Sequence, residues 1–243
     1  FIFTDAVKGY TGNSISTLSS HLIKTPVQMA MLSGAIGRAE NYLFIVDADG
    51  TLAVFNSNRV EKRAGYTQFT SQGSFHSVCV IDTRVYAVVK FDKGDGTNKY
   101  FLVEFDNSFN MDLAKTYSGS NGVFNVSSDF ANGAVVDVVN GTFYLGSFTV
   151  SGGNVDVSSV DSSISSAEIG LKFDVTLKTN PIDAQVADGP LTGQPRTVQR
   201  VVLDLNNTLS VTVNNTNLII RQVTDDMSQP RNAVTGKKEF RLL

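Results

Sequence analysis

The sequence predicts a mainly β protein. Antiparallel meander hairpins form part of a β-propeller-like domain, followed by a further antiparallel β region, with one short helix. Two observations predict this. The first is a unit of apolar strand, tight polar turn and apolar strand that occurs three times, over residues 42–55 (YLFIVDADGTLAVF), 78–91 (VCVIDTRVYAVVKF) and 134–148 (AVVDVVNGTFYLGSF). The turns fall at Asp49-Gly50, Asp82-Thr83 and Asn140-Gly141. Asp-Gly and Asn-Gly between apolar runs supply the left-handed backbone that two-residue hairpins need. The second is composition: of 243 residues 42% are hydrophobic, a globular value, but only 18% are charged. The usual charged share is about a quarter, and Ser, Thr, Asn and Gly make up the balance. Low surface charge suits a chain that buries surface against other subunits, and equally a plain β domain with a hydroxyl-rich surface.

Residues 14–24 are the helix candidate. Asn13 or Ser14 can cap it, Ile15, Leu18, Leu22 and Ile23 have helical spacing, and Thr25-Pro26 ends it. Residues 27–32 read as a strand and 34–41 as a polar connection. Strands follow at 42–46, 52–55, 67–70, 75–81, 84–91 and 100–105, with the KGDGTN turn at 93–98. Residues 107–123 read as irregular, and the third hairpin pairs 135–139 with 142–150. The interval from the second to the third turn is longer than the roughly 40–45 residues of a propeller blade, so the repeat is degenerate.

Three regions are therefore expected: 1–150 meander and propeller-like, 151–169 linker or loop, and 170–243 a second antiparallel region. In the last, Leu171, Phe173, Val175 and Leu177 alternate with Lys172, Asp174, Thr176 and Lys178, the pattern of a half-buried strand. Residues 180–194 read as a loop. Strands at 198–205, 209–213 and 218–223 are joined by turns at Asn206-Asn207 and Asn214-Asn215, and a polar loop covers 225–238. Both ends read as the middles of strands, which suggests a piece of a longer polypeptide.

Chemistry-bearing residues are sparse. A net charge of −3 offers no basic excess to neutralise phosphates. Cys79 is the only cysteine, so an intramolecular disulfide is impossible, and its apolar strand predicts a buried, inert thiol. His21 falls on the helix candidate. His76 lies in a strand, and plain alternation puts it on the face of Val78 and Val80, opposite Ser77 and Cys79. No Gly-x-Ser-x-Gly turn supports a nucleophile. Counted from Asp47, the sixth and twelfth positions of a calcium loop are Leu52 and Asn58, where Gly and Glu are needed. Asp47-Ala48-Asp49-Gly50 and Lys93-Gly94-Asp95-Gly96 are therefore read as turns whose aspartates bond to their own backbone. Glu104, Asp106 and Asp112 are acids without a distinguishing pattern, and the chain has no Trp to stack on sugars. Residues 59–63 (RVEKR) read as a solvated loop, and the sequons at Asn125, Asn140, Asn206 and Asn214 as turn asparagines. No catalytic, metal or cofactor-binding residue is assigned, and no apolar run reaches membrane-spanning length.

The order of several short motifs resembles the tail tubular B, or nozzle-type, stabilisation proteins of short-tailed phages. Residues 18–23 resemble a "SLLA-HLI" helix and Asp49 to Leu52 a "DGTL" hairpin. Thr70 to Val78, with Gly73, is similar to "T-DG-F-SV", and Val85 to Lys90 to "VY-VV-R", with Lys for Arg. Val103 to Phe105 is similar to "LE-F", followed by Asp112; Gly170 to Phe173 resembles "GLPY", and Thr235-Gly236 a late Thr-Gly. The family often has a Trp before "T-DG", where this chain has Gly65-Tyr66-Thr67. The resemblance implies a non-catalytic, cofactor-free virion protein of the tail. It implies a homo-oligomeric ring, usually a hexamer, meeting portal-adaptor and tail fibre proteins and enclosing genome DNA that passes without specific binding. It further implies location in the virion tail, and in the host cytoplasm during assembly. The alternatives are a host-surface carbohydrate-binding β domain and a glycosidase on a propeller scaffold.

Overall fold

A computed structural model describes residues 2–4, 9–11, 14, 16–17, 19–35, 37–58, 60–61, 63–106, 108–179, 185–186, 189–190, 197–218 and 231–241. The protein is mainly β, built of antiparallel pairs. It divides into two compact units: Phe1–Leu113 with Ser127–Ala134, and Ala114–Val126 with Val135–Leu243. The third hairpin thus belongs to the second unit, and no unit boundary falls at residue 150.

In the first unit, β1 (Ile2–Thr4) and β2 (Gly9–Thr11) form a small ribbon. The expected helix narrows to a 3-10 turn at Ser20–Leu22; Asn13, Ile15 and Leu18 lie outside the described residues. Serine-rich sequence explains this, because short hydroxyl side chains compete for the backbone bonds of a helix. A four-stranded meander follows, made of β3 (Pro26–Leu32), β4 (Asn41–Asp47), β5 (Leu52–Asn58) and β6 (Arg63–Phe69). Then comes a three-stranded one, of β7 (Ser74–Ile81), β8 (Arg84–Asp92) and β9 (Asn98–Glu104). Gly50 turns the first hairpin at φ 82°, and a Cβ there would come within 2.6 Å of Ser74 Cβ. The turn therefore needs glycine for both conformation and space.

The core of this unit lies between the two sheets. Leu32, Phe44, Val46, Leu52 and Val54 of the first meet Phe75, Val78, Val85, Ala87 and Val89 of the second. Each of these Leu, Val and Phe side chains contributes about 1.5–3 kcal/mol on burial. Phe105 is the hub, its ring 5.9 Å from Phe44, 5.8 Å from Phe69 and 6.3 Å from Phe75.

The second unit is built on a seven-stranded sheet. Its strands are β10 (Asp112–Ser120, starting in the first unit), β11 (Val123–Asn125), β12 (Val135–Asn140), β13 (Phe143–Thr149), β14 (Asn154–Asp156), β15 (Ser166–Leu171) and a later two-residue strand, in the order β14-β11-β10-β15-β12-β13 and then that strand. Residues 107–123, expected to be irregular, thus contain β10. Residues 151–169, expected as linker or loop, contain β14 and the start of β15. These strands are carried by sheet pairing rather than by apolar alternation.

A duplication organises this unit. Ser120, Gly122, Val126, Ser127 and Ser128 recur as Ser151, Gly153, Val157, Ser158 and Ser159. The two short strands pair antiparallel through Phe124↔Val155, flanked by Val123↔Asp156 and Asn125↔Asn154. Val126 N–H donates to Gly153 O at 2.9 Å, and Val157 N–H donates to Gly122 O at 2.8 Å. Each bond is the image of the other, so a local two-fold axis relates the copies. Gly122 and Gly153 share the left-handed conformation, at φ 74° and 77°.

Smaller strands complete the unit: β16 (Gln185–Val186), β17 (Gly189–Pro190), β18 (Arg200–Thr208), β19 (Val211–Val213), β20 (Thr216–Leu218), β21 (Arg231–Asn232) and β22 (Val234–Arg241). β21 ends the large sheet beside β13, β16 pairs with β17, and β19 with β20. β18 pairs with β22 instead of turning at Asn206-Asn207; Asn207, at φ 50°, sits in a bulge between Leu205 and Thr208. The expected loop 225–238 is corrected in the same way, since Val234 to Lys238 is strand, supplying the partner that β18 needs. Asn214-Asn215 is a hairpin turn, with φ 47° and 65°. The expected strand at 171–178 does not form: β15 ends at Leu171, and residues 172–178 are exposed and lie in no described strand.

Candidate functional site

The Asp-rich turn between β4 and β5 is a structural clamp. Asp47 is buried, and its carboxylate accepts from Lys24 N–H at 3.0 Å and Thr25 N–H at 3.2 Å. It therefore holds the segment entering β3, not its own turn as expected from the sequence. Asp49 does bond locally, accepting from Thr51 N–H at 3.0 Å and Thr51 Oγ1 at 2.7 Å. Lys24 Nζ lies 2.7 Å from Asp49 Oδ2. Lys24 and then Thr51 hold the Asp49 carboxyl well below the usual carboxylate range. The Lys93–Gly96 turn is similar: Asp95 accepts from Thr97 N–H at 2.9 Å and from its hydroxyl, which lowers its pKa.

Glu104, Asp106 and Asp112 each have a structural task. Glu104 pairs with Arg84 at 3.4 Å, and Asp106 accepts from Ser108 N–H at 2.8 Å. Asp112 accepts from Ser71 Oγ and Gln72 N–H, both at 2.8 Å, fixing the turn that enters β7. Among the described residues no three His, Cys, Asp or Glu side chains converge as a metal site.

β7 departs from simple alternation. A bulge between Phe75 and Ser77 lets both Phe75 and Val78 point inward. His76 is thereby exposed, and its ring meets the edge of Tyr100 at 5.8 Å. Cys79 is exposed, not buried, because it lies opposite Tyr86 on the outer face of the sheet. That face reads Ser77, Cys79, Tyr86, Val88, Lys90, Tyr100, Leu102 and Glu104 across the three strands. His21 lies exposed in the 3-10 turn. A cavity of about 460 Å³ is lined by Val27, Gln28, Val46, Asp47, Ala48, Phe75 and His76. Of its three hydrogen-bonding side chains, Asp47 is engaged as above and Gln28 Oε1 accepts from Val78 N–H at 3.2 Å; the third is His76.

Of residues 59–63, Arg59 and Lys62 lie outside the described residues, and Arg63 pairs with Glu61 at 3.1 Å in solvent. Asn214 lies at a turn as read, whereas Asn125 ends β11, Asn140 ends β12 beside its turn, and Asn206 is in β18. Two polar clusters carry no sequence signal. Lys99 Nζ is paired with buried Asp129, donates to Ser128 O at 2.7 Å and lies over the Phe101 ring at 4.9 Å. In the second unit Asp137 accepts from Tyr144 Oη at 3.2 Å and from Ser147 Oγ, and burial raises the Tyr144 pKa. Both join residues distant in sequence or across a hairpin.

What the arrangement offers is contact surface: turns and loops fixed by carboxylates, and a sheet face on which exposed Tyr100 and Leu102 stand beside Lys90 and Glu104. No protein-family model matches the chain, and no curated protein does.

Proposed function

We propose that the protein is a non-catalytic virion component of a phage tail, similar to the nozzle-type proteins, that assembles as a ring around the DNA exit channel. The observation that carries this reading is where the resembling motifs fall in the first unit. Asp49-Gly50 turns β4 into β5, Thr70 to Val78 joins the two meanders, and Val103 to Phe105 supplies the aromatic hub. Asp112 ties back to Ser71 and Gln72. The motifs are thus the joints between two adjacent blade-like sheets, so their order has a mechanical reason. A mildly acidic chain also suits a channel that must not hold DNA by its phosphates. Portal-adaptor and tail fibre proteins would be its neighbours along the tail.

Electron microscopy of the purified intact protein tests the reading. Rings with a central opening are expected. A strictly monomeric species that binds glycans on an array would replace this reading with the host-surface carbohydrate-binding one.

A further inference from the structure

We propose that Asn140 is a self-modifying site, at which the folded chain converts asparagine to isoaspartate and loosens the end of the β12–β13 hairpin. The chemistry favours an asparagine followed by glycine, because the next backbone nitrogen must reach the side-chain carbon and a Cβ beside it obstructs the approach. The chain has three such pairs, Asn121-Gly122, Asn132-Gly133 and Asn140-Gly141. Their sequences are equivalent in this respect, but their surroundings are not.

The step needs no cofactor and consumes only water. Gly141 N attacks Asn140 Cγ and forms the new N–C bond. The Cγ–Nδ2 bond breaks, and the side-chain nitrogen leaves as ammonia with the proton the backbone nitrogen gives up. Water then opens the five-membered succinimide. Attack at the backbone carbonyl carbon yields isoaspartate, whose main chain runs through the former side chain and is one methylene longer. Attack at Cγ yields aspartate.

At Asn121 the step is obstructed: Gly122 N–H donates to Ile164 O at 3.1 Å, and a Cβ on Gly122 would come within 2.8 Å of Asp161 O. Asn132 is held by an interaction of its own. At Asn140 the side-chain amide has no partner among the described residues. Gly141 lies outside both strands, its N–H donates to no carbonyl among the described residues, and open space surrounds it. Two Asp-Gly pairs, which close the same ring by losing water, are also restrained. Asp49 is held by Lys24 and Thr51, and Asp95 by Thr97. Asp188 lies outside the described residues.

The position gives the change a structural effect. Asn140 ends β12 and pairs with Phe143, which pairs on its other side with Asn232 of β21. An added methylene breaks the register of Asn140 with Phe143 and replaces a neutral amide by a carboxylate. The short β21 strand, joined to β13 only through Phe143 and Tyr144, loses part of its footing.

Peptide mapping by mass spectrometry tests the site on the full chain aged in mildly alkaline buffer, with the same chain aged in guanidinium as its unfolded reference. Unfolded, the three asparagines should convert at similar rates. Folded, Asn140 should still convert, whereas Asn121 should slow by roughly tenfold or more, because Gly122 N–H must first leave its hydrogen bond. Labelling by an isoaspartyl methyltransferase separates isoaspartate from aspartate, and an Asn140→Gln chain should lose most of that label. Amide exchange at Phe143 and Asn232 should quicken in the aged natural chain but not in the aged variant. If folding protects Asn140 as strongly as Asn121, or Asn140→Gln keeps the full label, the site is overturned. Unchanged exchange at Phe143 and Asn232 overturns the loosening. Should the variant misfold, the ratio of folded to unfolded rates at Asn140 and Asn121 decides without any substitution.

Discussion

Residues 127–134 and 158–165 follow equivalent short strands, run through the same sequence of turns and begin with the same Ser-Ser pair, yet they do different work. In the first, Asp129 is buried against Lys99, and Phe130 packs edge-on against Phe91 at 6.2 Å, so the loop is part of the first unit. In the second, the equivalent positions are Val160, exposed, and Asp161, which turns back on Ser163, accepting from its N–H at 2.8 Å and its hydroxyl at 2.6 Å. Backbone geometry is common to both copies. Two side chains decide whether the loop docks on a neighbouring hairpin or caps itself.

The largest break in this comparison should come at Phe130, which is 1% exposed. Phe130→Ala is expected to cost about 3–5 kcal/mol, whereas Val160→Ala should stay within about 0.5 kcal/mol; urea unfolding of both variants measures the contrast. Next comes Asp129→Ala. It should cost about 3 kcal/mol, the low end for a broken buried pair, because the Lys99 side chain remains 32% exposed. Asp161→Ala should shift the urea midpoint far less than Asp129→Ala.

Gly122→Ala sharpens the shared part. Its left-handed φ and the approach of a Cβ to Asp161 O at 2.8 Å predict a loss of about 2 kcal/mol. Gly152→Ala, also left-handed but with open space around it, should lose about 1 kcal/mol. Thermal melts should preserve that order.

The smallest effect is a pH dependence. Ser158 and Ser163 hydroxyls lower the pKa values of Asp156 and Asp161, as the Thr97 hydroxyl lowers Asp95, while Asp49 is lowered first by Lys24 and Asp106 first by the Ser108 N–H. Depressed carboxylates contribute stability that is complete above their unfolded values of about 4. It is lost as pH falls through the lower folded values. Melting temperature should therefore be flat on this account from neutral pH to about 5 and decline below about 4. Asp161→Asn should shallow that decline slightly.

Where the sequence alternated around a glycine or asparagine turn, as in β4–β5 and β12–β13, it was readable, because both signals are local. The His76 bulge was not, since one inserted residue reverses side-chain parity without changing composition, whereas Cys79 was read as buried from its apolar neighbours although alternation alone sets it opposite Val78. β10 was missed because its Lys-Thr-Tyr-Ser-Gly stretch becomes a strand only through its neighbours in the sheet. The duplication hid for a similar reason: its identities lie in turn residues, while Phe124 and Val155 keep only their burial. Residues 172–178 show the opposite failure, a strand pattern that falls in no described strand. The Lys99–Asp129 and Asp137–Tyr144–Ser147 contacts depend on three-dimensional pairing that no spacing announces.

The outward turn of Cys79 gives each chain a single solvent-facing thiol. A maleimide dye would react once per subunit, so the dye-to-particle ratio of an assembly counts its copies. Alkylation rates before and after assembly would also report, without any substitution, whether the outer face of the three-stranded sheet has gone out of reach of solvent.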